Sequence, residues 1–268
     1  MKKKFKLGVI GAGFMSSAII KGVIDSKIIL PDEIIVSDVN NNSLVKMSEI
    51  GVNTTMDNTE LVSNAEFVLF AIKPQNLNSV LESIKGCECD KFISIMAGVK
   101  KQKIKNYFPN SKVARCMPNT PCAIGSGAVG LDIFDYADEE DVKFIKKLLS
   151  SFAEVVIVAE DKLNAVTGVS GSAPAYFYLF LKSIIESGEN HGLTYNEAKL
   201  LAVNTMIGAG KMVLINDDKS IDELINAVCS KGGTTIEAVN VFNNDGLANI
   251  TQKAIDACVK RASELEEL

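Results

Sequence analysis

Residues 6–16 read Lys6-Leu7-Gly8-Val9-Ile10-Gly11-Ala12-Gly13-Phe14-Met15-Ser16, and this stretch decides the fold. A short apolar run, Lys6–Ile10, passes directly into G-x-G-x-x-S, and an amphipathic pattern, Met15–Asp25, follows. Strand, glycine turn and helix in that order form the dinucleotide-binding fingerprint of a Rossmann unit, with Ser16 where a third Gly or Ala is usual. Gly11 permits the tight turn, and Gly13 carries no side chain to obstruct a pyrophosphate. The helix start then offers free N–H groups and partial positive charge to the anion. The flanking strand and helix lift an otherwise weak motif above a chance glycine turn.

The same alternation continues outward from the fingerprint. Strand-like runs occupy Glu33–Ser37, Phe67–Ala71, Lys91–Ile95, Lys112–Cys116 and Val155–Val158. Helical stretches between them cover Ser43–Ile50, Gln75–Ile84 and Glu139–Ser151. Strands alternating with helices imply a parallel sheet covered on both faces. Beyond residue 160 the strand pattern stops, and Thr194-Tyr195-Asn196-Glu197, Ser220-Ile221-Asp222-Glu223 and Thr234-Thr235-Ile236-Glu237 all fit helix capping boxes. The expected architecture is α/β: a Rossmann dinucleotide-binding domain over 1–160 and an all-helical domain over 161–268.

Within the helical part, Ala175-Tyr176-Phe177-Tyr178-Leu179-Phe180-Leu181 follows Pro174 and is apolar all the way round. Such a helix must be enclosed on every side. A small helical domain barely achieves that alone, so an interleaved homodimer is expected; burial against the chain's own sheet domain is the alternative.

Bulk composition narrows the function classes. With 47% apolar and 23% charged residues the chain reads as globular, and at 268 residues it can bury a sizeable core. The net charge of −5 and the mere three-residue basic head, Lys2-Lys3-Lys4, argue against a nucleic-acid partner. No apolar stretch reaches the roughly 18–20 residues of a membrane helix, and the apolar run after the basic start breaks at Gly11, so it reads as a strand rather than a signal peptide. The six cysteines, at 87, 89, 116, 122, 229 and 258, include no CxxC pair and share the chain with one histidine. Thiols in a reducing compartment, no metal site and a cytoplasmic location are the resulting expectations.

Asp38 closes the second strand where a carboxylate usually receives the ribose hydroxyls of NAD. Ser37, Asn40, Asn41 and Asn42 beside it offer donors to a 2′-phosphate, and Asp38 equally fits a loop cap, so NADP(H) and NAD(H) both stay open. Gly232-Gly233-Thr234 lies at an expected helix start, with Thr234 as N-cap and Thr235 at the first helical position, its hydroxyl free. Two glycines and uncapped N–H groups would make a carboxylate cradle, although an ordinary capped helix fits the bare pattern as well. His191 falls at a helix end, where it complements the dipole rather than catalysing. Met117-Pro118-Asn119-Thr120-Pro121 reads as a rigid turn.

Several segments go beyond a generic Rossmann chain: Ala71-Ile72-Lys73-Pro74, Ala97-Gly98-Val99, Arg115-Cys116-Met117-Pro118-Asn119-Thr120-Pro121, Val166 to Tyr176 with its Val169-Ser170-Gly171-Ser172 core, and Ser230-Lys231-Gly232-Gly233-Thr234-Thr235-Ile236-Glu237-Ala238. Together and in order they resemble the pyrroline-5-carboxylate reductases. The resemblance implies NAD(P)H-dependent reduction of 1-pyrroline-5-carboxylate to L-proline, the last step of proline biosynthesis, by a homodimer that sometimes assembles further. It places the cofactor along Ile10, Gly11, Ala12, Gly13, Phe14 and Met15, with Ser37 and Asn58 at the adenosine end and Ala71, Ile72, Lys73, Pro74, Ala97 and Gly98 at the nicotinamide half. It places the substrate at Ser230, Gly232, Gly233, Thr234 and Thr235, with Glu160 nearby. Thr235 would be the catalytic residue, hydrogen-bonding the ring nitrogen. A protonated imine already carries its proton, which accounts for the lack of a histidine acid.

Three positions depart from the family pattern: Phe14, Met96 and Lys231, the last standing where Pro is usual and placing a cation beside the expected substrate carboxylate. Two competing functions remain. A β-hydroxyacid dehydrogenase would need a lysine from the helical domain at the nicotinamide, and Lys182, Lys199 and Lys211 are available. A non-catalytic dinucleotide-binding relative would have no need of the Gly232–Thr235 cradle.

Overall fold

The computed structural model describes residues 3–266; Lys2 of the basic head and the last two residues of the helical part lie outside them. One eight-stranded sheet organises the first part of the chain. Its strands are β1 (Phe5–Ile10), β2 (Ile34–Ser37), β3 (Asn53–Thr55), β4 (Ala65–Phe70), β5 (Lys91–Ser94), β6 (Lys112–Pro118), β7 (Gly127–Asp132) and β8 (Ala153–Ile157). Between them run α1 (Phe14–Asp25), α2 (Asn41–Glu49), α3 (Asn58–Asn64), α4 (Leu77–Ser83), α5 (Lys101–Lys105) and α6 (Glu139–Ser150). After β8 the chain is helical: α7 (Leu163–Val166), α8 (Ala173–Asn190), α9 (Tyr195–Ile215), α10 (Ile221–Val228), α11 (Thr234–Asn244) and α12 (Leu247–Glu266).

The strand order is β3-β2-β1-β4-β5-β6-β7-β8. From β1 the chain runs outward through β2 and β3, then returns to lay β4 on the other side of β1. This reversal creates the crevice at the strand C-termini where doubly wound sheets take their ligands. Every neighbouring pair is parallel except β6 with β7. The reason lies in the connection: residues 119–126 are fewer than the dozen or so that a parallel crossover requires, so β7 must turn back beside β6.

Both faces of the sheet are covered, as alternation predicts. Along β4, Phe67 and Leu69 join the core under α1 and α6, while Val68 and Phe70 join the core on the opposite face with Leu77 and Leu81 of α4. β3 and β7 escape the sequence reading because one is only three polar residues, Asn-Thr-Thr, and the other is interrupted by two glycines. Those glycines are needed for packing, since a Cβ on Gly130 would meet Val166 at 2.7 Å and one on Gly127 would strike Cys122.

Packing divides the chain later than residue 160. One compact unit comprises residues up to Pro174 together with those from Cys258 onward; the other runs Ala175–Ala257. Leu163 is fully buried, and Val166 lies against Gly130, so α7 packs with the sheet. Among the described residues the second unit has only a small core, Ile185, Ala198 and Ala202 with Leu181 beside them. Its larger apolar side chains are exposed: Leu179 is 67%, Phe177 55%, Leu200 67% and Leu214 79% accessible. One expectation is corrected here. At 21 residues and a mean hydropathy of 1.4, α9 is long and apolar enough to cross a membrane, although Lys199 and Lys211 interrupt it. Scattered charges hide such a helix from a search for an unbroken apolar run.

Candidate active site

The glycine turn is locked between two strands. The Gly11 N–H donates to the Ser37 carbonyl at 2.7 Å, and the Ala71 N–H donates to the Ile10 carbonyl at 2.9 Å. Gly11 has φ +104°, and a Cβ there would meet the Ala71 carbonyl oxygen at 2.6 Å, so only glycine fits. Gly13 is the N-cap of α1 without any side-chain cap, and a Cβ on it would have nothing within 4 Å. The open space beside Gly13 and the uncapped first turn together fit a dinucleotide pyrophosphate. Ser16 is fully buried and donates to the Gly13 carbonyl at 2.9 Å, so a hydroxyl fills the third position of the fingerprint without disturbing the turn. Ala12 is buried, Met15 packs on the core, and Phe14 is 66% exposed.

Ser37 and Asn58 meet, but not as two independent donors. Ser37 is fully buried, and its hydroxyl donates to Asn58 Oδ1 at 2.7 Å. That hydroxyl is committed to Asn58 rather than offered to a phosphate, and its role is to orient the half-buried amide. Asp38 is tied to the turn itself: Oδ2 accepts from the Ala12 N–H at 2.7 Å and Oδ1 from the Asn40 N–H at 2.8 Å. It therefore caps its own loop while facing the glycines.

Ala71–Pro74 follow β4, next to β1. Pro74 opens a short 3₁₀ turn, Pro74–Asn76, which leaves Lys73 exposed ahead of it. Ala97 and Gly98 follow β5; Gly98 is buried, and a Cβ on it would meet Leu265 of α12 at 2.6 Å. The expected cofactor residues thus lie at or just after the C-terminal ends of β1, β2, β4 and β5 or at the starts of α1 and α3.

Glu160 sits in a network that sequence reasoning missed. Its Oε1 accepts from the Lys101 N–H at 2.7 Å and from Arg115 Nη1 at 3.3 Å. Arg115, 1% exposed, also donates through Nη2 to Glu266 Oε1 at 2.9 Å, and Lys100 stands 3.5 Å from Glu266. Burial works against the charge on Glu266, but the Arg115 hydrogen bond and field outweigh it and hold the carboxyl below its ordinary range. Next to this network, burial opposes the charge on Lys101, yet hydrogen bonds to Asp135 and Asp132 raise its pKa. The signal was present in Arg115-Cys116-Met117: a cation within an otherwise apolar strand must find carboxylates. Asn119, by contrast, holds its turn, accepting from the Ala128 N–H at 3.0 Å and donating to Ser170 at 3.3 Å.

At the start of α11 the expected cap is corrected. Gly233, not Thr234, is the N-cap, with extended backbone and no side-chain cap, so Thr234 and Thr235 are the first and second helical residues. Glu237 then falls one position too late to close a capping box. Gly232 takes φ +69°, and the Gly233 N–H donates to the Ser230 carbonyl at 3.0 Å, folding the turn back on itself. The shift strengthens the cradle. Neither threonine hydroxyl is bonded among the described residues, both side chains are exposed, and no side chain occupies the first-turn N–H groups. By contrast, Thr194–Glu197 and Ser220–Glu223 form the reciprocal boxes expected of them. The cofactor-side residues and Glu160 belong to the first compact unit, and Ser230–Thr235 to the second. Lys182 pairs with Glu186 at 3.3 Å and Lys199 lies over the Tyr195 ring, while Lys211 is exposed.

Comparison with known proteins bears on the family and the fold. Residues 160–265 match a family model described as pyrroline-5-carboxylate reductase dimerisation, and residues 6–98 match one described as NADP oxidoreductase, coenzyme F420-dependent. The chain is 34% identical over 264 residues to a pyrroline-5-carboxylate reductase of Synechocystis, covering 97% of this chain and 98% of that one. A structure of a pyrroline-5-carboxylate reductase from Coxiella burnetii superposes with a TM-score of 0.90 at 32% identity, covering 98% of this chain and 99% of that one. A Plasmodium falciparum pyrroline carboxylate reductase with NADP bound gives 0.87 at 26% identity, covering 99% and 100%.

Proposed function

The chain belongs to the pyrroline-5-carboxylate reductase family, NAD(P)H-dependent oxidoreductases, and from that premise we propose how its residues reduce 1-pyrroline-5-carboxylate to L-proline. The observation that carries the proposal is the uncapped start of α11, where Gly232 and Gly233 bare the first-turn N–H groups beside two free threonine hydroxyls. Oriented amides and the helix dipole suit the substrate carboxylate, and Lys231 adds a cation at the rim. Thr235, second in the helix, hydrogen-bonds the ring nitrogen and fixes which face of the ring is presented. The nicotinamide dinucleotide, when bound, supplies the hydride. Gly11–Met15 hold its pyrophosphate, Asn58 its adenosine end, and Ala71–Pro74 with Ala97 and Gly98 its nicotinamide half. Glu160 supports this half through the Lys101 N–H and Arg115.

The iminium form of the substrate brings its own proton, so the chain's task is orientation rather than acid catalysis. This accounts for the absence of a histidine from the site residues. The competing β-hydroxyacid chemistry has less support, since Lys182 and Lys199 are engaged by partners on their own helices, which leaves Lys211 as its candidate.

The functional unit in this reading is a homodimer in the cytoplasm. The exposed apolar faces of α8 and α9 need a cover, and the match of residues 160–265 to a dimerisation family supports a second copy in that role. Further assembly of such dimers is the extension that the family resemblance implies.

Thr235→Ala tests the core of the proposal. Turnover with pyrroline-5-carboxylate should fall roughly 10²-fold, the lower end of what one oriented hydrogen-bonding group contributes, with dinucleotide binding retained and activity partly restored in Thr235→Ser. Unchanged turnover removes Thr235 from the mechanism.

A further inference from the structure

The loops around Asp38 discriminate between the two forms of the nicotinamide dinucleotide: we infer that this chain takes NADH in preference to NADPH, with Asp38 as the residue that selects. The inference rests on the dinucleotide reading of the Gly11–Met15 turn and goes beyond it to the adenosine ribose.

The carboxylate of Asp38 is fixed to the glycine turn by the Ala12 N–H and to its own loop by the Asn40 N–H, one bond on each oxygen. A carboxylate offers about four acceptor positions. The two left over match the two donors of a ribose 2′,3′-diol, and an acid at the end of the second strand is the usual partner of that diol. A 2′-phosphate in the same place would bring a dianion, all acceptors, against a carboxylate that has nothing to donate.

The surrounding loops offer that dianion no cation. Gly11–Ser17, Ser37–Val45 and Met56–Glu60, the loops at the ends of β1, β2 and β3 with the helix starts that follow, contain no Lys or Arg. Lys46 belongs to the last turn of α2, at the far end of that helix. Of the neutral donors, the Ser37 hydroxyl is committed to Asn58, whereas Asn40 caps α2 through its side-chain oxygen, so the side-chain amides of Asn40, Asn41 and Asn42 are uncharged donors that neutralise no phosphate charge. Two further acids, Asp57 and Glu60, lie at the start of α3, where Asp57 accepts from the Thr59 N–H and Glu60 from the Thr55 hydroxyl. Every charge in these loops is negative.

The test is direct binding, followed by fluorescence enhancement of NADH and NADPH and by calorimetry with the oxidised forms, with steady-state rates as a second readout. NADH should bind the wild-type chain at least about tenfold more tightly than NADPH, the effect of a like-charge clash. Asp38→Asn removes the charge but keeps an acceptor for the Ala12 N–H, and should narrow that ratio by improving NADPH. Raised salt should narrow it in the wild type by screening. Equal or tighter NADPH binding by the wild type overturns the inference without any variant being needed, as does an unchanged ratio in a folded Asp38→Asn. Loss of binding to both dinucleotides would instead bring down the assignment of the glycine turn, and this inference with it.

Discussion

Replacing Arg115 by Met should destabilise the sheet-bearing unit by roughly 3 kcal/mol. Arg115 is 1% exposed and bridges Glu160 and Glu266 at 3.3 and 2.9 Å. Removing one partner of a buried ion pair costs about 3–5 kcal/mol, because it strands the opposite charge. Three features set the figure at the lower end. Glu266 keeps Lys100 at 3.5 Å, Glu160 keeps the Lys101 N–H, and the Glu160 side chain is 27% exposed, which screens it. The buried Arg115 Nε has no partner among the described residues, so its removal returns about 1 kcal/mol. For a unit of this size that amounts to a fall in Tm of roughly 6–12 °C. Denaturant melts of wild type, Arg115→Met, Glu266→Met and the double variant complete a cycle. The double variant should be more stable than the summed single effects predict, by about 1–2 kcal/mol, since no carboxylate at Glu266 is then stranded. An Arg115→Met change below about 0.5 kcal/mol, or strict additivity, would refute the reasoning.

Three further outcomes follow from the same structure. Gly13→Val should abolish dinucleotide binding while costing about 1 kcal/mol or less in stability, because the added side chain enters open space rather than the core; calorimetry showing retained binding would disprove the site. Leu179→Glu, at a position 67% exposed in the single chain, should shift sedimentation of the proposed dimer to monomer by placing a charge in its proposed apolar interface, and an unchanged dimer would move that interface off α8. In the pH dependence, Arg115 holds Glu266, against the effect of burial, below the usual carboxyl range, and Lys105 and Lys101 do the same for Asp135. Carboxyls depressed on folding stabilise fully above their unfolded values near pH 4 and lose that contribution as pH falls through the lower folded values. Acid melts should show wild type losing stability below about pH 4–5, and Arg115→Met losing less of it.

The sequence by itself determined the Rossmann half and the chemistry-bearing turns, because those signals are local. A glycine needed at φ +104° and a strand-to-helix switch within ten residues leave marks that can be read along the chain. The reciprocal caps at Thr194 and Ser220 were legible for the same reason. Only the tertiary structure decided the antiparallel β7, whose glycines answer to Val166 and Cys122 rather than to any strand propensity. It also decided the cap at Gly233, where a one-residue shift freed Thr234 as well as Thr235. Arg115 could be suspected as a buried cation, but its partner Glu266 lies 151 positions away, and no periodicity connects two residues that meet only when the last helix packs on the sheet. Local backbone demands are written in adjacent residues; long-range charge pairing is settled only by the packing that removes both groups from water.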